Sequence, residues 1–150
     1  MTVDQTEATL RSAYRAFNAR DVDAARRLTL KGERQAEVAG RALSALTTKP
    51  DVCLTSPKVR AADTAKLACS ALELESEISE ELRGGPFDST SVAAGRGDVL
   101  LVGHEPDFSN EVARLTGANV KLRKGGLAII DGSILVALLR PKDLDAIAGT

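Results

Sequence analysis

Two polar residues, His104 and Arg60, stand where a strand-like segment of the sequence passes into a helix-like one. His104 is the only histidine among the 150 residues, and it follows the apolar run "DVLLVG". Arg60 lies in the first turn of the helix predicted after "DVCLTS", where the helix dipole disfavours a cation. A guanidinium fork matches phosphate oxygens, and the imidazole would lie near the start of the second helix. The pair suggests a phosphate pocket, although a solvated arginine and a structural histidine fit the same pattern.

The segments around these residues predict where they meet. "DVLLVG", residues 98–103, is apolar on both faces, which is typical of a parallel strand covered on two sides. "DVCLTS", residues 51–56, is a second short strand, and the helix after it has Ser56 as a suitable N-cap and Pro57 as a suitable first residue. Ligands of open parallel α/β sheets bind at the carboxyl ends of strands. We therefore expect both junctions at one edge, where two helix N-termini add partial positive charge.

Strand-like and helix-like segments alternate along the chain. Apolar spacing predicts one helix over residues 8–19 and another from about Thr29, and "GLAIID" and "SILVALL" are two strands joined by a hairpin at Gly132. No repeat or linker divides the sequence. We predict a single domain, residues 1–150, with an α/β fold: a three-layer sandwich whose mostly parallel central sheet of four or five strands carries helices on both faces.

Composition argues against several classes of partner. The formal net charge is −1, aromatic residues make up 3% and tryptophan is absent, so the sequence offers little to nucleic acid or to an anionic membrane. No apolar run has transmembrane length, and the first 25 residues are too polar for a signal peptide. The two cysteines match no metal spacing and are expected in the core. We expect a cytoplasmic protein without a metal or cofactor.

Four segments occur in the order and spacing of the histidine phosphatase superfamily: "RRLTLKGERQAEVAGRAL", "SPKVRAADTA", "LLVGHEP" and "LRKGGLAIID". From about Arg26 onward the chain most resembles bacterial phosphohistidine phosphatases of the SixA type, which have a phosphoglycerate mutase-like fold. The resemblance implies that Arg60 and His104 line a phosphate pocket, and we expect Ser56 to contribute to phosphate binding there. It makes Glu81, or the glutamate before it, a candidate for donating a proton to a leaving group, unless both are solvated loop residues.

The N-terminal part of the chain departs from this family. Its members begin with a strand ending in Arg-His-Gly or Arg-His-Ala, and that histidine is the nucleophile. This chain has no second histidine, and residues 1–25 read as a helical segment in place of the strand. An ungapped comparison sets Arg15-Ala16 where Arg-His would stand. Because a lost strand would leave sheet edges unpaired, we also expect homodimerisation or strand exchange.

These features predict a phosphatase-like domain with impaired catalysis that retains half of a phosphate pocket. Its expected ligand is phosphate, or a phosphorylated protein or small molecule. Two alternatives stay open. One is an active phosphatase acting on phosphohistidine or a small phosphoester, with His104 or a partner-supplied residue as nucleophile. The other is a non-catalytic protein-interaction module.

Overall fold

A six-stranded sheet forms the centre of the part of the chain that the structure describes. The structure is a computed structural model and describes residues 14–18, 28–46 and 49–149. Strand order across the sheet is β3-β2-β4-β1-β5-β6; the first four strands are parallel, and β5 and β6 run antiparallel to their neighbours β1 and β5. The strands are β1 (Tyr14–Asn18), β2 (Val52–Thr55), β3 (Ser76–Ile78), β4 (Val99–Gly103), β5 (Leu127–Asp131) and β6 (Ile134–Leu139).

Helices cover both faces of the sheet, as predicted. One apolar cluster joins α1, α2 and α5 to one face, and a second joins α4 to the other. The fold is therefore an α/β sandwich with a mostly parallel central sheet. The helices are α1 (Leu30–Ala45), α2 (Val59–Leu72), the single turn α3 (Ser89–Val92), α4 (Asp107–Thr116) and α5 (Pro141–Ala148), with a 3-10 turn at Glu80–Leu82.

Strand β4 lies inside the sheet and is fully buried, which confirms the prediction for "DVLLVG". Leu100 and Val102 pack into the cluster of α1 and α2, and Val99 and Leu101 pack into that of α4. Successive side chains of a strand point to opposite faces, so a strand covered on both sides must be apolar at every position.

The N-terminal prediction is wrong over residues 14–18, which form strand β1 and not a helix. In β1, Arg15 pairs with Leu100 of β4 on one side and with Ile129 of β5 on the other. The helical spacing of the segment is a local preference, and ladders to two neighbouring strands outweigh it; Tyr and Phe are also good strand formers. The remainder of the predicted helical segment 1–25 lies outside the described residues. Because the chain supplies its own inner strand, the reason given for strand exchange no longer holds, and homodimerisation stays a prediction.

Other local predictions are confirmed or shifted by a few residues. Helix α1 begins where expected, with Thr29 as N-cap accepting a hydrogen bond from the backbone N–H of Gly32 at 3.0 Å. The β5–β6 hairpin turns through Gly132 at φ 64°, a conformation that glycine adopts without strain.

Helix α2 begins later than predicted, with Lys58 as its N-cap in place of Ser56. Ser56 still belongs to the strand edge, because its N–H donates to the carbonyl of Val102 at 2.9 Å. The described ranges contain six strands where four or five were expected, since β1 and the three-residue β3 were not recognised.

Both cysteines, Cys53 and Cys69, are buried and free, as expected of small core residues. Within the described ranges, no helix combines the length and apolarity that crossing a membrane requires.

Candidate functional site

Ser56 and His104 meet at the carboxyl edge of the sheet. Ser56 directly follows β2 and His104 directly follows β4, and these strands are parallel neighbours. The Ser56 Oγ and His104 Nε2 atoms lie 2.7 Å apart, and both residues are buried. Ser56 Oγ also accepts a hydrogen bond from the backbone N–H of Lys58 at 3.2 Å. The imidazole is thus held by a side chain that the sheet itself positions.

Arg60, the second residue of α2, is 3% exposed. Its Nε atom is buried and has no hydrogen-bond partner in the part of the chain that the structure describes. Leaving a buried charged donor unsatisfied costs about 1–3 kcal/mol or more, so such groups in folded proteins usually mark a ligand or a functional strain. The guanidinium therefore has an unfilled capacity for an acceptor such as a phosphate oxygen.

The two helix N-termini at this edge differ. Helix α2 has no side-chain cap, so its first N–H groups can serve an anion. The first turn of α4 is already occupied, because the carboxylate of Glu105 accepts a hydrogen bond from the N–H of Ser109 at 2.9 Å. Burial is the main reason that the pKa of Glu105 is raised above its ordinary value. Of the two anion-binding ends expected from the sequence, the α2 end has no such carboxylate on it among the residues that the structure describes.

Glu81 lies on the exposed 3-10 turn that follows β3. Because β3 is parallel to β2, this turn leaves the sheet at the same edge as Ser56. The preceding Glu80 is ion-paired with Arg83. The position is compatible with the proton-donor role expected of Glu81, and that role stays a prediction.

Strand β1 brings the N-terminal part of the chain to the same edge. Its last residue, Asn18, pairs with Gly103, the residue before His104. Ala16, which the ungapped comparison sets at the histidine position, pairs with Leu101 and lies two residues before the last residue of the strand. The residue after Asn18 in the sequence is Ala19, which lies outside the described residues.

The close packing of Gly103 was not recognised from the sequence. A Cβ atom at this position would meet the Phe108 ring at 2.6 Å, so only glycine lets α4 fold back over the strand end. Packing against Phe108 therefore explains the glycine of the Gly-His pair. A glycine ending a buried strand just before a helix with an aromatic residue in its first turn was the available signal.

A model of the histidine phosphatase superfamily (branch 1) matches residues 15–91. Because this match covers half of the chain, the chain belongs to that superfamily. Its fold is similar to a SixA structure from Agrobacterium tumefaciens (TM-score 0.72, 21% identity), with 85% of this chain and 96% of that one covered.

A second SixA structure, determined in complex with tungstate, is similar at a TM-score of 0.72 and 23% identity, covering 87% of this chain and 97% of that one. An α-ribazole-5'-P phosphatase structure from Escherichia coli is similar at 0.63 and 17%, covering 85% and 95%. No curated protein matches the chain significantly. These likenesses establish the fold, and the single histidine of the chain is His104.

Proposed function

We propose that this domain binds the phosphate group of a phosphorylated protein or small molecule between Arg60, Ser56 and His104, and turns it over slowly or not at all. The observation that carries the proposal is the buried Arg60 Nε without a partner at the uncapped start of α2. A phosphate oxygen would satisfy that donor. The tungstate complex of the structurally similar SixA supports an oxyanion as ligand of this fold.

The proposal of impaired turnover is supported by the histidine count, since the chain has one histidine. Covalent phosphoryl transfer needs a positioned nucleophile, which splits a hard step into two easier ones. In a serine protease stripped of its catalytic groups, kcat falls about 10⁶-fold and about 10³-fold catalysis over water remains, from binding and electrostatic stabilisation alone. Arg60, His104 and the α2 N-terminus supply only that second contribution here. Glu81 would protonate a leaving group in whatever slow hydrolysis persists.

An active enzyme using His104 as nucleophile is the alternative. Its Nε2 atom is engaged with the buried Ser56 hydroxyl at 2.7 Å, so attack through that nitrogen would first have to break this hydrogen bond. His104 would also have to leave the stabilising role that its position supports. The contact therefore favours the binding function over this alternative.

Tungstate binding, measured by calorimetry, tests the pocket. The wild-type protein should bind it, Arg60→Ala should lose binding, and Arg60→Lys should weaken it because the charge remains without the fork. Arg41→Ala is the matched control, since Arg41 is an exposed arginine on α1. Equal affinity in wild type and a folded Arg60→Ala variant would refute the pocket.

Turnover is tested by incubation with a radiolabelled phosphodonor, an alkaline quench and a search for acid-labile label. No phosphoenzyme should accumulate. Stoichiometric phosphohistidine that disappears in His104→Ala would establish His104 as the nucleophile and replace the proposal by its alternative. Tungstate binding without label would leave the domain as a phosphate-binding relative of the phosphatases, and the absence of both would favour a module that binds proteins without reading phosphate.

A further inference from the structure

A groove of about 970 Å³ reaches the residues that directly follow His104. Its walls are Glu105 and Pro106 after β4, the start of α1, the segment 121–124 before β5, and the start of α5. The wall formed by Glu105 and Pro106 therefore lies within two residues of His104 in the chain.

Cationic side chains outnumber anionic ones in the groove. Among the described residues that line it, six side chains carry positive charge and two, Glu105 and Asp145, carry negative charge, although the whole chain has a formal net charge of −1. One of the six, Arg140, is ion-paired with Asp143, which lies outside the lining. Lys31 and Arg123 form no ion pair within the described ranges. Concentration of one sign of charge in a cleft attracts ligands of the opposite sign. The cationic residues are Lys31, Lys121, Arg123, Lys124, Arg140 and Lys142.

We propose that this groove binds an acidic segment of the phosphorylated protein whose phosphate group enters the neighbouring pocket. The inference rests on the proposed function and assigns a protein, with acidic residues flanking its phosphorylated side chain, as the partner. Charge complementarity carries the argument, and the position of Glu105 directly after His104 makes groove and pocket continuous along the chain.

Three features favour an extended acidic chain over a compact polyanion. The cations come from three separate segments of the chain, so they line the groove instead of belonging to a single loop. Four of the six are lysines, whose flexible stems place a point charge against carboxylates in many geometries, whereas arginine forks select phosphate. The volume also lies at the upper end of the range for small-molecule pockets, about 300–1,000 Å³.

The test uses the full chain and a fluorescent, unphosphorylated eight-residue peptide that contains five glutamates. Binding is followed by fluorescence anisotropy at low and at physiological salt. The variant Lys121→Glu/Arg123→Glu should bind the peptide about tenfold more weakly than wild type, and added salt should weaken wild-type binding, since exposed charges are screened. The control Arg41→Glu/Lys66→Glu makes the same change of net charge at exposed positions outside the groove, and should stay within about twofold of wild type.

The outcomes separate this proposal from the previous one. Tungstate binding should be retained in Lys121→Glu/Arg123→Glu and lost in Arg60→Ala. Peptide binding without tungstate binding would refute the phosphate pocket and leave the groove as an acidic-segment site. Failure of wild type to bind the peptide at high micromolar concentration, or an equal loss in the control variant, would overturn the groove proposal. Tighter binding of tripolyphosphate than of the peptide would also overturn it, in favour of a small polyanion.

Discussion

Replacing Ser56 by alanine should destabilise the domain and remove a hydrogen bond that positions the imidazole of His104. The substitution removes two hydrogen bonds of one buried hydroxyl, the 2.7 Å contact with His104 Nε2 and the 3.2 Å contact from the Lys58 N–H. Because Ser56 is 0% exposed, water does not readily replace the lost partner. One buried polar group left unsatisfied costs about 1–3 kcal/mol, and we expect the free energy of unfolding to fall by that amount.

Urea unfolding measures this loss as a lower midpoint at an unchanged slope. Ser70→Ala is the matched control: Ser70 is exposed on α2, and its replacement should change stability by no more than about 0.5 kcal/mol. Because His104 is the only histidine, the ¹⁵N signals of its ring are assigned without ambiguity and should shift in Ser56→Ala alone. A destabilisation below about 0.5 kcal/mol with unchanged ring signals would mean that the hydroxyl does not hold the imidazole.

Three further predictions follow from particular contacts. Burial opposes the charge of Glu111, yet hydrogen bonds from Arg114 and a buried serine lower its pKa below the ordinary 4.5. The unfolded chain therefore takes up the proton first on acidification, and the free energy of unfolding falls as pH drops through the folded-state pKa. Glu111→Gln should flatten this pH dependence, measured by urea unfolding below about pH 5. Gly103→Ala sets a Cβ 2.6 Å from the Phe108 ring and should cost about 1–3 kcal/mol in thermal unfolding, a loss that normal stability would contradict. Edge strand β6 exposes Val136 by 58%, so sedimentation at high micromolar concentration should show self-association that Val136→Lys abolishes, and a wild-type monomer would end the homodimer hypothesis.

Where local signals and tertiary packing agree, the sequence is enough to predict the structure. Strand β4 is apolar at every position because both of its faces are covered, and α1 begins at a threonine cap. The junctions that hold Arg60 and His104 could be predicted because parallel strands end at a common edge. These predictions needed no knowledge of which strands are neighbours.

Strand β1 could not be predicted in this way. Its five residues have helical spacing, and their strand conformation depends on β4 and β5, which lie more than eighty residues further along the chain. The unsatisfied Nε of Arg60 and the cationic groove are equally invisible in sequence, because each depends on side chains from distant segments. Pairing and burial between remote segments are properties of the folded chain.

The proposed function requires a phosphate pocket that does not depend on a nucleophile, and the placement of the site residues on separate strands allows this. Arg60, Ser56 and His104 depend on β2, β4 and α2, and Ser56 is fixed by its N–H bond to Val102 and by its hydroxyl contact with His104. Strand β1 joins the sheet through backbone ladders, which are indifferent to whether a histidine follows it. Substituting that histidine would remove the covalent step while leaving the anion-binding groups in place. On the proposed function, such a chain would still bind phosphate through Arg60, Ser56 and His104, and the cationic groove would contribute to the choice of its phosphorylated partner.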